Sequence, residues 1–276
     1  MQIPAHTLPA VAIIVAVATP LASAQAQALS DKFWLEASLY RPHIDSSVSV
    51  TSKANPAIGT TIDMEKDLGL DSRQELPAFL AGARVSRKFA IVGEYFSIGR
   101  DGNRTIARSI NFNGVTYPAN ATITSGFDTD IYRLTFNWSI IRKEKVAAGV
   151  ALGVHATKFK VSLEGIGSIG NQTAQTQRSA EDFLAPLPTV GIFANFEPIP
   201  RLTLGGRADY LSLKISDYHG RLINAQAKVS YRVLKNVGLG VGYRYVDYRV
   251  DVDKPRYSGR FKYAFSGPAI FLEAGF

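Results

Sequence analysis

Hydrophobic and polar residues alternate along much of the chain after position 30. The clearest segment covers residues 131–141, where Tyr132, Leu134, Phe136, Trp138 and Ile140 occupy alternate positions and small or charged polar residues separate them. Successive side chains of a β-strand point to opposite faces. Residues 146–157 and 223–233 repeat the pattern. The three segments therefore predict strands with one apolar face and one polar face.

Further segments alternate less regularly and raise the prediction to about ten strands, an even number typical of single-chain bacterial barrels, with eight as the alternative. These segments are 32–41, 76–86, 89–98, 189–196, 202–211, 237–248 and 260–276. Tight connections at 86–88, 141–145, 197–201 and 234–236 are predicted as periplasmic turns, and the stretches 46–75, 99–122, 160–185, 212–220 and 250–259 as outer loops. The predicted fold is an all-β, antiparallel transmembrane barrel.

A secreted sandwich or a soluble ligand-carrying barrel would also alternate, but its polar face would be the outer one. Here the polar positions contain many Gly and Ala residues, as a crowded lumen requires. Aromatic residues occur towards the ends of the apolar faces, as in the interfacial girdles of membrane barrels. The predicted girdle residues are Tyr132, Trp138, Tyr210, Tyr231, Tyr243 and Tyr245.

The N-terminal segment resembles an export signal. Residues 11–24 form an apolar run that ends in two overlapping A-x-A sites, at 22–24 and 24–26. Signal peptidase cuts at such sites. We therefore predict a signal peptide over 1–26, followed by one barrel domain over 27–276 in the outer membrane. Later apolar stretches are shorter than the ~20 residues that a spanning helix needs.

The last strand carries a family resemblance. The chain ends in Ile-Phe-Leu-Glu-Ala-Gly-Phe, with Leu272, Ala274 and the C-terminal Phe276 on one face. This ending is similar to the signal that the outer-membrane assembly machinery reads. Together with the glycine-rich, aromatic run 237–245, it makes the chain resemble the small Gram-negative outer-membrane barrels of the OmpA-like and OmpW-like groups. The resemblance implies membrane insertion and assembly, and it specifies no activity.

Composition excludes several classes of site. The chain contains no Cys, which removes disulfides, thiolate metal sites and Cys nucleophiles. The net charge of +8 comes from Lys and Arg that are interleaved with Asp and Glu along the chain. Because phosphate backbones are bound by clustered bases, we expect no nucleic-acid partner. The expected partners are outer-membrane lipids, lipopolysaccharide and the assembly machinery.

Charged residues also occur at predicted lumen positions, where each must pair or stay hydrated. They form either a salt-bridged plug that closes the barrel, which is favoured, or the lining of a narrow passage with a mild preference for anions. The predicted polar network of the lumen consists of Glu36, Arg84, Glu94, Arg133, His155, Arg207, Asp209, Lys228, Arg232, Arg244 and Glu273.

Two sets of residues are candidate chemical sites. His155 could join Ser139 in a catalytic set, but no ordered motif supports this, so a hydrogen-bonded lumen residue is favoured. Asp63, Glu65, Asp67 and Asp71 could offer oxygen ligands to a hard cation, but their spacing differs from a Ca²⁺ loop and a solvated acidic rim is favoured. We expect no metal, no cofactor and no enzymatic activity.

Three functional hypotheses follow in order of preference. The first is a structural or interaction barrel whose outer loops contact lipopolysaccharide or external partners. The second is a narrow channel for small solutes, with a preference for anions. The third is a lipid-modifying or proteolytic outer-membrane enzyme that works through His155.

Overall fold

A computed structural model describes residues 29–54, 59–112, 115–167 and 175–276. The predicted signal peptide lies outside the described residues. The described chain consists of fourteen strands and one short helix, α1, at Met64–Leu68. The strands are β1 (Phe33–Tyr40), β2 (His43–Ser52), β3 (Gly59–Asp63), β4 (Leu76–Arg84), β5 (Phe89–Thr105), β6 (Ile110–Phe112), β7 (Val115–Tyr117), β8 (Thr122–Arg142), β9 (Val146–Gly167), β10 (Gln175–Ile199), β11 (Leu202–Ile215), β12 (Tyr218–Arg232), β13 (Val237–Asp253) and β14 (Tyr257–Gly275).

Antiparallel pairing closes these strands into a barrel. The order is β1, β4, β5, β8 to β14, and β14 returns to pair with β1. β2 continues the line of β1 along β14 in the same register, from Trp34 opposite Gly275 to Ser52 opposite Tyr257. The described residues therefore form a ring of ten strand positions, which confirms the predicted number. β3 and α1 extend above the ring.

Each predicted strand overlaps an observed one, but the predicted outer loops were largely wrong. Residues 99–105 prolong β5, 122–130 begin β8, and most of 160–185 belongs to β9 and β10. Even 212–220 is strand apart from a two-residue turn. The barrel is therefore much taller than the membrane segment. No helix of the described chain is long and apolar enough to cross a membrane.

The two faces of the wall exchange polarity partway up the barrel. On β8, Leu134 and Trp138 point outward and are exposed, whereas the outward positions above Tyr132 are Asp130 and Asp128. The inward positions change in the opposite sense, from Arg133 below to apolar residues above. We call the part with an apolar exterior the lower tier and the part with a polar exterior the upper tier.

The lower tier is the membrane-spanning part. Its tight turns and the C-terminus lie at one end, as on the periplasmic side of membrane barrels. Large apolar side chains are exposed around its exterior on most strands, which water would disfavour and lipid favours. The predicted girdle residues all lie on this exterior, between 41% and 55% exposed: Tyr132, Trp138, Tyr210, Tyr231, Tyr243 and Tyr245.

Candidate functional site

A network of ion pairs crosses the lumen of the lower tier. Arg133 donates to Glu94 at 2.9 Å and to Asp209 at 3.2 Å. Arg207 holds the same Asp209 at 2.7 Å, and Arg244 pairs with the other oxygen of Glu94. Arg133 comes from β8, Glu94 from the adjacent β5, and Asp209 from β11, three strand positions away on the other side. The network therefore ties different parts of the wall together across the bore.

A second group of charges lies nearer the periplasmic end. Glu36 and Glu273 are directly opposite each other on β1 and β14, and Lys228 reaches Glu36 at 2.7 Å. Lys228 also lies over the ring of Phe271, 5.2 Å from its centroid. This group borders a small pocket that Glu36, Ser38 and Arg244 help to line.

Two predicted lumen arginines lie at the periplasmic rim. Arg232 pairs with Asp31, and Arg84 donates to the carbonyl oxygen of Asp31 at 3.1 Å. The structure thus places the predicted polar residues on the inner face, but in separate groups, and Arg232 is not bonded to the network of Arg133.

His155 lies at the boundary of the two tiers. It is opposite Arg133 in the β8–β9 register and buried, and its ring meets Tyr248 edge-on at 5.3 Å. Neither ring nitrogen makes a hydrogen bond with the described residues. Ser139 is opposite Gly149, six positions further along the strand, or about 20 Å at ~3.3 Å per residue. The suggested set of His155 and Ser139 is therefore wrong.

An aromatic cluster fills the bore directly above the ion pairs. Tyr263 contacts Phe127 at 5.3 Å and Phe159 at 5.8 Å between ring centroids, and Phe159 contacts Tyr248 at 6.1 Å. Such edge and tilted contacts add to the energy of burial. We call this set the aromatic plug, and its members are Tyr40, Phe96, Phe127, Phe159, Tyr248, Phe261, Tyr263 and Phe265.

The helix α1 covers the extracellular end of the plug and is held there by an ion pair with a buried arginine. Arg100, which is fully buried, pairs with Glu65 of α1 and donates to the hydroxyl of Ser46 at 2.9 Å. Its guanidinium also lies 5.0 Å from the ring centroid of Phe127. Met64 and Leu68 bury the apolar face of the helix. The plug and its cover are thus joined through one side chain.

The acidic candidates for cation binding have other partners. Asp63 caps α1 by accepting from the backbone N–H of Lys66 at 2.9 Å, and Asp67 pairs with Arg108 at 3.0 Å. Burial acts to raise the pKa of Asp63, but the hydrogen bonds and charge of Lys66 outweigh it and lower that pKa. Within the described ranges, no group of His, Asp and Glu is arranged to hold a metal ion.

The sequence reasoning missed two kinds of inward residue. Glu197 is buried and continues the inward parity of β10, so the alternation could have identified it. The aromatic plug likewise keeps the parity of the lumen residues, as in the series Glu94, Phe96 and Ile98 on β5. Asp31 precedes the first strand, and alternation gave no signal for it.

Comparison with known proteins adds a fold and no family. No protein-family model and no curated protein matches the chain. Among solved structures, it is similar to the outer membrane protease OmpT from Escherichia coli, with 9% identity, a TM-score of 0.56, and coverage of 88% of this chain and 97% of that one. The Pseudomonas putida toluene transporter TodX matches at 8% identity and a TM-score of 0.34, over 89% and 90% of the two chains. Ail of Yersinia pestis matches at 11% identity and a TM-score of 0.28, over 85% and 97%.

The likeness to OmpT shows the fold of an outer-membrane β-barrel, so the predicted fold class is confirmed. Together with the apolar exterior of the lower tier, this fold indicates residence in the outer membrane. At 9% identity the likeness shows nothing about activity.

Proposed function

We propose that the chain is a closed outer-membrane barrel with a structural or interaction role, in which the upper tier presents a rigid surface to lipopolysaccharide or external partners. The observation that carries this proposal is the aromatic plug, which lies above the ion pairs of the lumen and below the cover of α1. An eight-stranded barrel is filled by its own side chains, whereas 16 or more strands leave a water-filled channel. Ten positions lie near the closed limit.

The charged layer supports closure because its arginines and carboxylates form ion pairs with one another. Arg133, Arg207 and Arg244 share Glu94 and Asp209, so few charges are left to attract water or solute ions. The expected excess of bases in the lumen also shrinks, since the buried Asp31 and Glu197 add two acids. This near balance of acids and bases in the lumen gives little support to the alternative of an anion-favouring channel.

Conductance in a planar bilayer tests closure. We expect the purified protein to insert without giving steady ionic current. Arg133→Ala should stay closed as well, because the aromatic plug lies above the altered layer. Combining Arg133→Ala with Phe127→Ala and Phe159→Ala removes side chains from both layers, and this variant should conduct. Large, stable currents through the unaltered protein would refute the closed barrel.

The proposal includes no catalytic role. His155 is buried beside Tyr248 and lacks a hydrogen-bonded serine or carboxylate among the described residues. A general base must lie within hydrogen-bond reach of the group that it activates. We therefore expect purified protein to show no hydrolysis of lipid A or peptides. Turnover that His155→Ala abolishes, with the barrel still folded, would contradict this part.

A further inference from the structure

Three cations lie side by side on the outer surface of the upper tier. Arg249 of β13 is directly opposite Arg221 of β12 on one side and Lys262 of β14 on the other. Side chains in such pairs have Cβ atoms ~4.5–5.5 Å apart, and like charges directly opposite each other are destabilising. The next positions along this row are Ser212 and Ser47. We call Arg221, Arg249 and Lys262 the cationic row.

Acidic neighbours compensate the cationic row incompletely. Asp247 approaches Arg221 at 3.7 Å, and Asp251 pairs with Arg260. The Nε atoms of Arg221 and Arg249 are buried and make no hydrogen bond with the described residues. The row therefore keeps a net positive charge, because its three cations and Arg260 face only two carboxylates, Asp247 and Asp251.

The opposite wall shows what a balanced surface looks like at the same level. There, Asp130 is directly opposite Lys158, and Asp128 is opposite Lys160. Lys160 also approaches Asp130 at 3.9 Å. Both walls begin immediately above girdle tyrosines, Tyr132 on β8 and Tyr245 on β13. One wall thus neutralises itself, and the other does not.

We infer that the cationic row binds the phosphate groups of a lipid headgroup in the outer leaflet. Arg249 is four residues above Tyr245, or about 13 Å along a strand at ~3.3 Å per residue, and the ~35–45° tilt of barrel strands reduces this to roughly 10 Å of height. The row therefore lies just above the interface that the aromatic girdle marks, on the side of the lipid headgroups. Arginine pairs with phosphate through two parallel hydrogen bonds, and the lipid phosphate would relieve the repulsion within the row. The inference rests on the proposed orientation in the outer membrane and names a lipid partner for its upper tier.

Lipid binding can be measured on the full barrel in a non-ionic maltoside detergent. The probes are lipid A with its two phosphates, the same lipid with the phosphates removed, and dissolved inorganic phosphate. We expect phosphorylated lipid A to bind saturably and to raise the melting temperature. The dephosphorylated lipid and inorganic phosphate at equal concentration should have little effect. The first lacks the phosphates that the row would bind, and the second lacks the lipid that would hold a phosphate beside the row.

The informative variant is Arg249→Gln with Lys262→Gln, which keeps polar, unbranched side chains at both positions and removes two charges. It should bind lipid A at least about tenfold more weakly, since charge-assisted contacts are lost. Without lipid, the same variant should melt at the same temperature or higher, because the repulsion is gone. A purely structural role would instead lower the melting temperature. Lys262→Gln alone, at an exposed site, serves if the double variant folds poorly.

Lys160→Gln on the balanced wall is the matched control and should leave lipid A affinity unchanged. The inference is overturned if both walls matter equally, if the double variant binds as well as the unaltered protein, or if dephosphorylated lipid binds as tightly. Equal stabilisation by inorganic phosphate would assign the row to a free anion. These results are independent of closure, because a conducting barrel could still bind lipid through this row.

Discussion

The two tiers of the barrel use the same strands with opposite chemistry. In the lower tier, apolar side chains face lipid and charges pair inside, as Leu134 and Arg133 do on β8. In the upper tier, Asp128 faces water and Phe127 packs inside. The β-strand provides two faces, and the surrounding medium decides which of them is apolar. Comparable strand geometry can thus continue from membrane to water when the polarity of its faces is exchanged.

The largest difference is expected between the packed interior of the upper tier and the lipid-facing exterior of the lower tier. Phe127→Ala should lower the free energy of unfolding by about 3–5 kcal/mol, because it loses apolar burial and leaves a cavity in the aromatic plug. Phe136→Ala, on the lipid-facing side, leaves no cavity and should cost about 1.5–2 kcal/mol. Urea unfolding in lipid vesicles measures both. Equal losses would mean that the plug is not closely packed.

A charge on the exterior should distinguish the tiers almost as strongly. Leu134→Arg places a cation in the lipid belt and should cost about 2–4 kcal/mol near the midplane. Thr124→Arg, outward on the same strand in the upper tier, should change the free energy of unfolding by no more than about 0.5 kcal/mol. The site is exposed to water, and the substitution removes only an exposed hydrogen bond from Asn103. If Leu134→Arg were as mild as Thr124→Arg, the lower tier would not face lipid.

Alkaline titration sharpens the comparison for tyrosine. Burial raises the pKa of Tyr263 to about 12 and also raises the pKa of Tyr248. A raised folded-state pKa means that stability is present below the unfolded pKa near 10 and is lost as pH rises through the folded value. For Tyr263 the loss should be about 1 kcal/mol by roughly pH 11. Tyr263→Phe should reduce this loss of stability, and an unchanged pH dependence would contradict the burial of its hydroxyl.

The smallest effect is expected at the cover of the plug. Asp63→Ala removes the cap of α1 and should cost about 1 kcal/mol, whereas Asp63→Asn keeps an acceptor and should cost less. The unfolding free energies of both variants provide the measurement. Identical losses would show that the negative charge of Asp63 matters more than its capping hydrogen bond.

Alternation predicted the lower tier well because its apolar face is continuous. The predicted segment 131–141 matches the lipid-facing part of β8, which begins at Thr122. The prediction stopped at residue 131 because the apolar residues change face there, not because the strand ends. Following the inward face past Arg133 would have revealed Ile131, Phe127 and Ile123 as a buried series.

The partners of the lumen charges lay beyond what alternation can predict. Arg133 and Asp209 are 76 residues apart, and their contact depends on how the strands are staggered around the closed ring. The alternation predicts that both side chains point inward, but it does not predict how far along the barrel axis each one lies. The separation of Arg232 from the network of Arg133 has the same origin.

The boundary between the tiers is the central claim, and a spin-label scan along β8 tests it most directly. The chain contains no cysteine, so single cysteines can be introduced at the outward positions 124, 126, 128, 130, 134, 136, 138 and 140 without background labelling. In lipid vesicles, labels at 134–140 should collide with dissolved oxygen and those at 124–130 with a water-soluble nickel complex. The change should occur across Tyr132. Lipid-like accessibility at 128 and 130, or water-like accessibility at 134 and 136, would contradict the two-tier barrel.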